Sequence, residues 1–201
     1  MSSVTEINIG EQSNMHYYDP KENEFVSLVP KQLYPMHAKK VDTRTVDVKG
    51  KYKAKVHNII YEIAEECGQK TFLTDRGEVN GASFVGKEVY STGIFMFLNP
   101  QAGDTFEANN GGNERYLRFC EVIKVACPEI EVDVDGSKKM VKSLPHLETS
   151  DFVGVPVYAT LGLGKAWKGS DGIERKSFEV KSIDKWEKGV KIDVELEELP
   201  F

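Results

Sequence analysis

The stretch "KYKAKVHNIIYEI", residues 51–63, alternates in side-chain character over most of its length. Tyr52, Ala54, Val56 and Ile60 fall on one parity, and Lys51, Lys53, Lys55, His57 and Tyr61 on the other. A period of two over such a length marks a strand with one buried and one solvated face. The pattern predicts that the lysine parity, with His57 and Tyr61, points outward. The fold must therefore contain a sheet with an open face.

Further segments read the same way. Residues 70–73, "KTFL", form a short second run after a turn at Gly68. In "KEVYSTGIFMFLN", residues 87–99, Tyr90, Ile94, Met96 and Leu98 share one face, while Lys87, Ser91, Phe95, Phe97 and Asn99 share the other. Gly93 in mid-run predicts a bulge or a tight bend. Three more strands are expected in 152–165, 175–186 and 189–196. A small hairpin is expected around Asp135-Gly136. Between them, "NERYLRFCEVIKVA" (113–126) has helical spacing, carried by Leu117, Cys120 and Lys124 with Tyr116, Phe119 and Ile123; Tyr116 and Phe119 read as core and Asn113 as a plausible N-cap. Pro128 ends it.

That order predicts a mainly β fold, an OB-fold-like five-stranded Greek-key barrel with one helix between strands 3 and 4. Residues 1–48, with Pro20, Pro30 and Pro35 and no sustained period, are expected to be an N-terminal arm packing on the barrel. The barrel then spans 49–196, with an extra C-terminal strand, and 197–201 form an acidic tip. At 201 residues, 40% hydrophobic and 29% charged, the chain is long enough to bury a core without staples. No run of ~18 apolar residues predicts a membrane span. Cys67, Cys120 and Cys127 lack metal or redox spacing and suit a reducing, cytoplasmic compartment.

No sequence motif of a hydrolase, metalloprotease or calcium loop is present. "LGLGK" (161–165) fails the spacing of a phosphate loop, because Ala166 follows Lys165 where Ser or Thr is needed. The four histidines show no metal spacing, and no carboxylate pair has a partner that would tune it. The expectation is a protein that is not an enzyme and uses neither metal nor cofactor. Positive charge is local instead. Residues 49–55 hold four lysines, and "KAWKGSDGIERK" carries Lys165, Lys168, Arg175 and Lys176 around Trp167. A binder of unpaired polynucleotide needs cations for phosphates and rings for bases. The candidates are Lys51, Lys53, Lys55, Tyr61, Lys87, Phe95, Phe97, Lys165, Trp167, Lys168, Arg175 and Lys176. The plain alternative is that Phe95, Phe97 and Tyr61 are core and the lysines a solvated face.

The chain ends "ELEELPF", acidic with a hydrophobic tip. Pro200 cannot donate to a ladder, and such a peptide suits a basic, apolar-floored pocket on a partner. With "GKYKAKVHNI" (50–59), "FVGKEVYSTGIFMFLNP" (84–100), "RYLRFCEVI" (115–123), "FVGVPVYATL" (152–161) and the tip "LPF", the chain resembles a phage family of OB-fold single-stranded DNA-binding proteins. The resemblance covers roughly residues 50–201. It implies sequence-independent binding of single-stranded DNA in replication, recombination or repair in the host cytoplasm, by a monomer or small homo-oligomer. It also implies contacts with replication or recombination proteins through Glu197, Glu198, Leu199, Pro200 and Phe201. Unlike bacterial relatives of that group, this chain has almost no linker before the tip. The alternative reading is a phage structural or assembly β-barrel without nucleic-acid binding. A third and weaker one is a nuclease or nucleotide-processing enzyme.

Overall fold

Sixteen residues, Leu33–Val48, make the longest of the described strands, β1, which pairs with two others. The structure, a computed structural model, describes residues 27–50, 52–74, 77–98, 110–134 and 136–194. The further elements are β2 (Tyr52–Ile63), β3 (Thr71–Thr74), β4 (Gly77–Asn80), β5 (Glu88–Ser91), β6 (Ile94–Leu98) and α1 (Asn110–Val122). Then come β7 (Glu129–Val134), β8 (Ser137–Lys142), α2 (Thr149–Phe152), β9 (Pro156–Leu163), β10 (Trp167–Lys168), β11 (Glu174–Arg175) and β12 (Phe178–Lys185).

β1 pairs with β2 and with β9, β2 with β5, β5 with β12, and β12 with β9, which closes a five-stranded barrel. Among the described strands only the β5–β12 pairing is parallel. With α1 inserted between the third and fourth barrel strands, this is the OB-like barrel expected from the sequence. The inward residues are Tyr34, Met36 and Ala38 of β1, Ile59, Tyr61 and Ile63 of β2, Val89 of β5, Val157, Ala159 and Leu161 of β9, and Val180 of β12. One end is plugged by aromatic rings. Tyr34 stacks on Phe72 at 4.7 Å, and Phe84 meets both edge-on at 5.8 and 5.2 Å. The other end is covered by α1 and α2, through Tyr116, Phe119, Cys120 and Phe152. Truncating a ring at either plug costs about 3–5 kcal/mol.

Three expectations are corrected. Residues 33–48 are a barrel strand and not part of an arm. They escaped notice because both of their faces are covered at the start. Tyr34 and Met36 face the core, while Pro35 and His37 are buried as well. Trp186 lies 5.4 Å from the His37 ring, and His37 Nε2 sits 3.1 Å from the Val190 carbonyl oxygen. Residues 189–194, the described part of the expected C-terminal strand, form no strand. They are an extended strap held by the Ile192 N–H on the Gly154 carbonyl at 3.1 Å. Gly154 has φ +76°, and a Cβ there would lie 1.9 Å from the Ile192 carbonyl oxygen, so the strap closes only over glycine. Lastly, 87–99 is two strands. The chain breaks at Thr92–Gly93, where a Cβ would sit 2.8 Å from Val56 Cγ1 and 2.9 Å from Asn58 Oδ1.

Candidate nucleic-acid interface

On β2 the inward parity is the odd one. His57, Ile59, Tyr61 and Ile63 are buried inward, and Ala54, Val56, Asn58, Ile60 and Glu62 face out. This reverses the expected parity, and a slip of one position turns every side chain over. Tyr61 is therefore core, 2% exposed, and burial drives its phenol pKa well above the ordinary value. It offers no stacking surface.

Register decides what shares the outer face, because directly opposed residues project to the same side. Phe95 lies opposite Val56 and Phe97 opposite Ala54, whereas Lys55 lies opposite Met96 and Lys53 opposite Leu98. The expected lysine ladder and the two phenylalanines thus occupy opposite faces of the sheet. Lys53 is exposed at the lip of the inner face. Lys55 is half-buried, its Nζ donating to the Leu147 carbonyl at 3.3 Å and lying 3.6 Å from Glu148 Oε1. Lys51 lies outside the described residues.

Phe95 and Phe97 do reach the outside. Their rings stack at 6.0 Å and 22°, over a floor of Ala54 and Val56. Phe95 is 36% exposed and Phe97 half-buried. A third ring, which the sequence pattern misplaces, joins them. Tyr90, expected inward, is 63% exposed and opposes Ile60 on the same outer face. The break at Thr92–Gly93 resets the parity, so even-numbered Tyr90 and odd-numbered Phe95 end up on one side. Gly93 beside the polar pair Ser91-Thr92 was the available signal. From Val56 to Ile60 along β2, the rise of about 3.3 Å per residue puts Tyr90 and Phe95 ~13 Å apart.

Asn113 sets Phe97 in place. It is buried inside α1, not at its N-cap. Its Oδ1 accepts from the Phe97 N–H at 2.8 Å and its Nδ2 donates to the Phe97 carbonyl at 3.0 Å. The side chain replaces a neighbouring strand on the free edge of β6.

Charge around the strip is mixed. Arg44 of β1 opposes Val56 and is exposed, beside Asp42, whose carboxylate accepts from Asn58 Nδ2 at 3.2 Å. At the Tyr90 end, Glu88 and Glu62 are both bridged by Lys39, to Glu88 at 3.0 Å. Glu62 first and then Glu88 hold that ammonium pKa above its usual value.

Lys165, Trp167, Lys168, Arg175 and Lys176 sit on or beside the β10–β11 hairpin. Trp167 is 52% exposed and paired with Arg175, whose guanidinium carbon is 5.7 Å from the indole centre. Arg175 Nη1 donates to Asp171 Oδ1 at 2.8 Å, and its Nη2 also pairs with that carboxylate. Arg175 holds the Asp171 pKa below its ordinary value. Such solvent-exposed pairs exchange readily for other anions. Lys165, Lys168 and Lys176 are all exposed there. Lys87 is half-buried with Nζ 5.3 Å from the Phe84 ring centre, and burial lowers its pKa. Glu197, Glu198, Leu199, Pro200 and Phe201 lie outside the described residues.

Among the described residues no group of three His, Cys, Asp or Glu side chains is placed to hold a metal. No helix there is long and apolar enough to cross a membrane. Comparison with known proteins finds no family model, no curated protein and no solved structure that matches this chain.

Proposed function

We propose that this protein binds single-stranded DNA without regard to base sequence. The observation that carries the reading is the outer strip of Tyr90, Phe95 and Phe97. Tyr90 and Phe95 are exposed and Phe97 is half-buried on one outer face, over Ala54, Val56 and Ile60 and beside Arg44. Aromatic rings in such positions form an apolar patch with a polar rim, which marks a contact surface. Bases stack on these rings whatever their identity. Arg44 and the hairpin cations Lys165, Lys168, Arg175 and Lys176 supply phosphate contacts, with Trp167 as a further stacking ring. Lys55 and Tyr61 have no part in it.

The setting is that of the resemblance: replication, recombination or repair of phage DNA in the host cytoplasm, with no catalysis. The acidic tip at 197–201 recruits partner proteins in this reading. The rival, a phage structural or assembly barrel, predicts indifference to oligonucleotides.

The test is a titration with oligo-dT and with duplex of equal length at several salt concentrations. Binding should favour the single strand and weaken as salt rises, through counterion release. Tyr90→Ala and Phe95→Ala should each cost about 1–3 kcal/mol, roughly 5- to 150-fold in affinity. Trp167 fluorescence should fall on binding, while Trp186, 5% exposed, contributes a constant background. Equal affinity for duplex, or unchanged binding in both ring variants, defeats the reading.

A further inference from the structure

The break at Thr92–Gly93 opens a half-enclosed cavity of about 130 Å³ between β5, β6, α1 and β12. Its apolar wall comes from Tyr61, Ile94, Phe119 and Val180, and its exposed edge carries Arg115, Arg118 and Lys181. This cavity is separate from the outer strip, since Tyr61 belongs to the inward parity of β2.

Three features limit what can fill it. The first is size. An apolar cavity of about 150 Å³ accepts one benzene ring, so about 130 Å³ with one open side seats a single six-membered ring more fully than a fused purine. The second is an unused polar group. The Tyr61 hydroxyl makes no hydrogen bond among the described residues, although the side chain is 2% exposed. Its oxygen is not sealed from solvent, since among the described residues His57 Nε2 alone is a buried side-chain polar atom without a partner, so a ligand's ring carbonyl or ring nitrogen takes the place of water there. The third is charge. Arg115 Nη2 donates only weakly, to Thr92 Oγ1 at 3.4 Å, and Arg118 pairs with Asp184 at 3.2 Å on the surface. Lys181 pairs with Glu179. A phosphate dianion outcompetes such partners through charge-assisted, bidentate bonds.

We propose that this cavity binds one pyrimidine nucleotide, its ring against the apolar wall within reach of the Tyr61 hydroxyl and its phosphate on Arg115 and Arg118. The nucleotide is either free or the phosphate-bearing end of a single strand. Only the second source rests on the single-strand reading above.

The experiment is calorimetric titration with thymidine 5′-monophosphate, thymidine, deoxyadenosine 5′-monophosphate and inorganic phosphate. Thymidine monophosphate should bind at least tenfold tighter than each of the other three, a factor worth about 1.4 kcal/mol. Tyr61→Phe removes only an unpaired hydroxyl, so the protein keeps its fold and stability while affinity falls severalfold. Arg115→Gln with Arg118→Gln should erase the advantage over thymidine. Absence of heat with millimolar thymidine monophosphate overturns the proposal. So does equal affinity for the purine, or unchanged affinity in both variants. Oligo-dT with and without a 5′-phosphate separates the sources. Tighter binding of the phosphorylated strand, lost in the double arginine variant, assigns the site to strand ends. Equal binding of the two strands, with thymidine monophosphate still bound, assigns it to the free nucleotide. Phe95→Ala should weaken oligo-dT and leave the mononucleotide untouched, so failure of the outer strip and failure of this cavity give different results.

Discussion

His57 makes the folded protein sensitive to mild acid. Its ring is fully buried between Tyr116, at 6.1 Å, and Phe152, at 5.3 Å. Nδ1 lies 2.8 Å from Thr43 Oγ1, and Nε2 has no hydrogen-bond partner among the described residues. Burial, reinforced by nearby Lys55 and His146 and opposed by Glu148, lowers the imidazole pKa to about 4. In the unfolded chain it returns to about 6.5. Below that pH the unfolded state takes up a proton that the folded state refuses, so stability falls as pH drops from about 6.5 toward 4. One pKa unit corresponds to about 1.36 kcal/mol, giving about 3 kcal/mol over the whole window and about 2 kcal/mol between pH 7 and pH 5. The assay is urea unfolding of the parent protein and of His57→Leu at pH 7 and pH 5. The parent should lose about 2 kcal/mol more than the variant over that interval. Other titrating groups cancel in the difference. An NMR titration gives the direct check, with the His57 ring staying neutral well below pH 6. Equal losses in the two proteins, or a ring that titrates near 6.5, would refute the reasoning.

Two further outcomes follow from the strand edge and the break. Asn113→Ala leaves the Phe97 N–H and carbonyl without their partner and should cost about 1–3 kcal/mol, with faster amide exchange at Phe97 as the specific readout. Gly93→Ala should destabilise by more than the same change at Gly68, where the nearest atoms lie 3.8 Å from an added Cβ, because at Gly93 the new Cβ would lie 2.8 Å from Val56 Cγ1 and 2.9 Å from Asn58 Oδ1. Thermal melts of the two variants side by side measure the difference.

The barrel was legible because strand periodicity, the helix between 113 and 126 and the bend at Gly93 all leave local marks. Which side of β2 faces inward was not. Ile59 and Ile60 are adjacent, so either parity can claim an isoleucine, and the lysines at 51, 53 and 55 pull the reading toward the wrong one. In the fold, Ala54 and Val56 are buried from outside by Phe95 and Phe97, while Lys55 is tied to Leu147 and Glu148 near the helix cap. Burial of an apolar residue does not say which layer buries it. A single period carried across Gly93 sets Tyr90 inward and leaves Phe95 and Phe97 open between core and binding face, whereas the break puts Tyr90 and Phe95 on one side. β1 was hidden because cover on both faces erases alternation.

Closure of this barrel depends on partners that are remote along the chain. Leu33 meets Thr160, and Ser91 meets Val180. A polypeptide emerging from the ribosome can form the β1–β2 ladder early, but it carries two bare sheet margins until residue 185 has been synthesised. Joining distant segments is slow, and unpaired margins invite association with neighbouring chains. The interval before the last strand docks is therefore when a nascent copy most needs shielding, and slowing translation late in the message would lengthen that exposure.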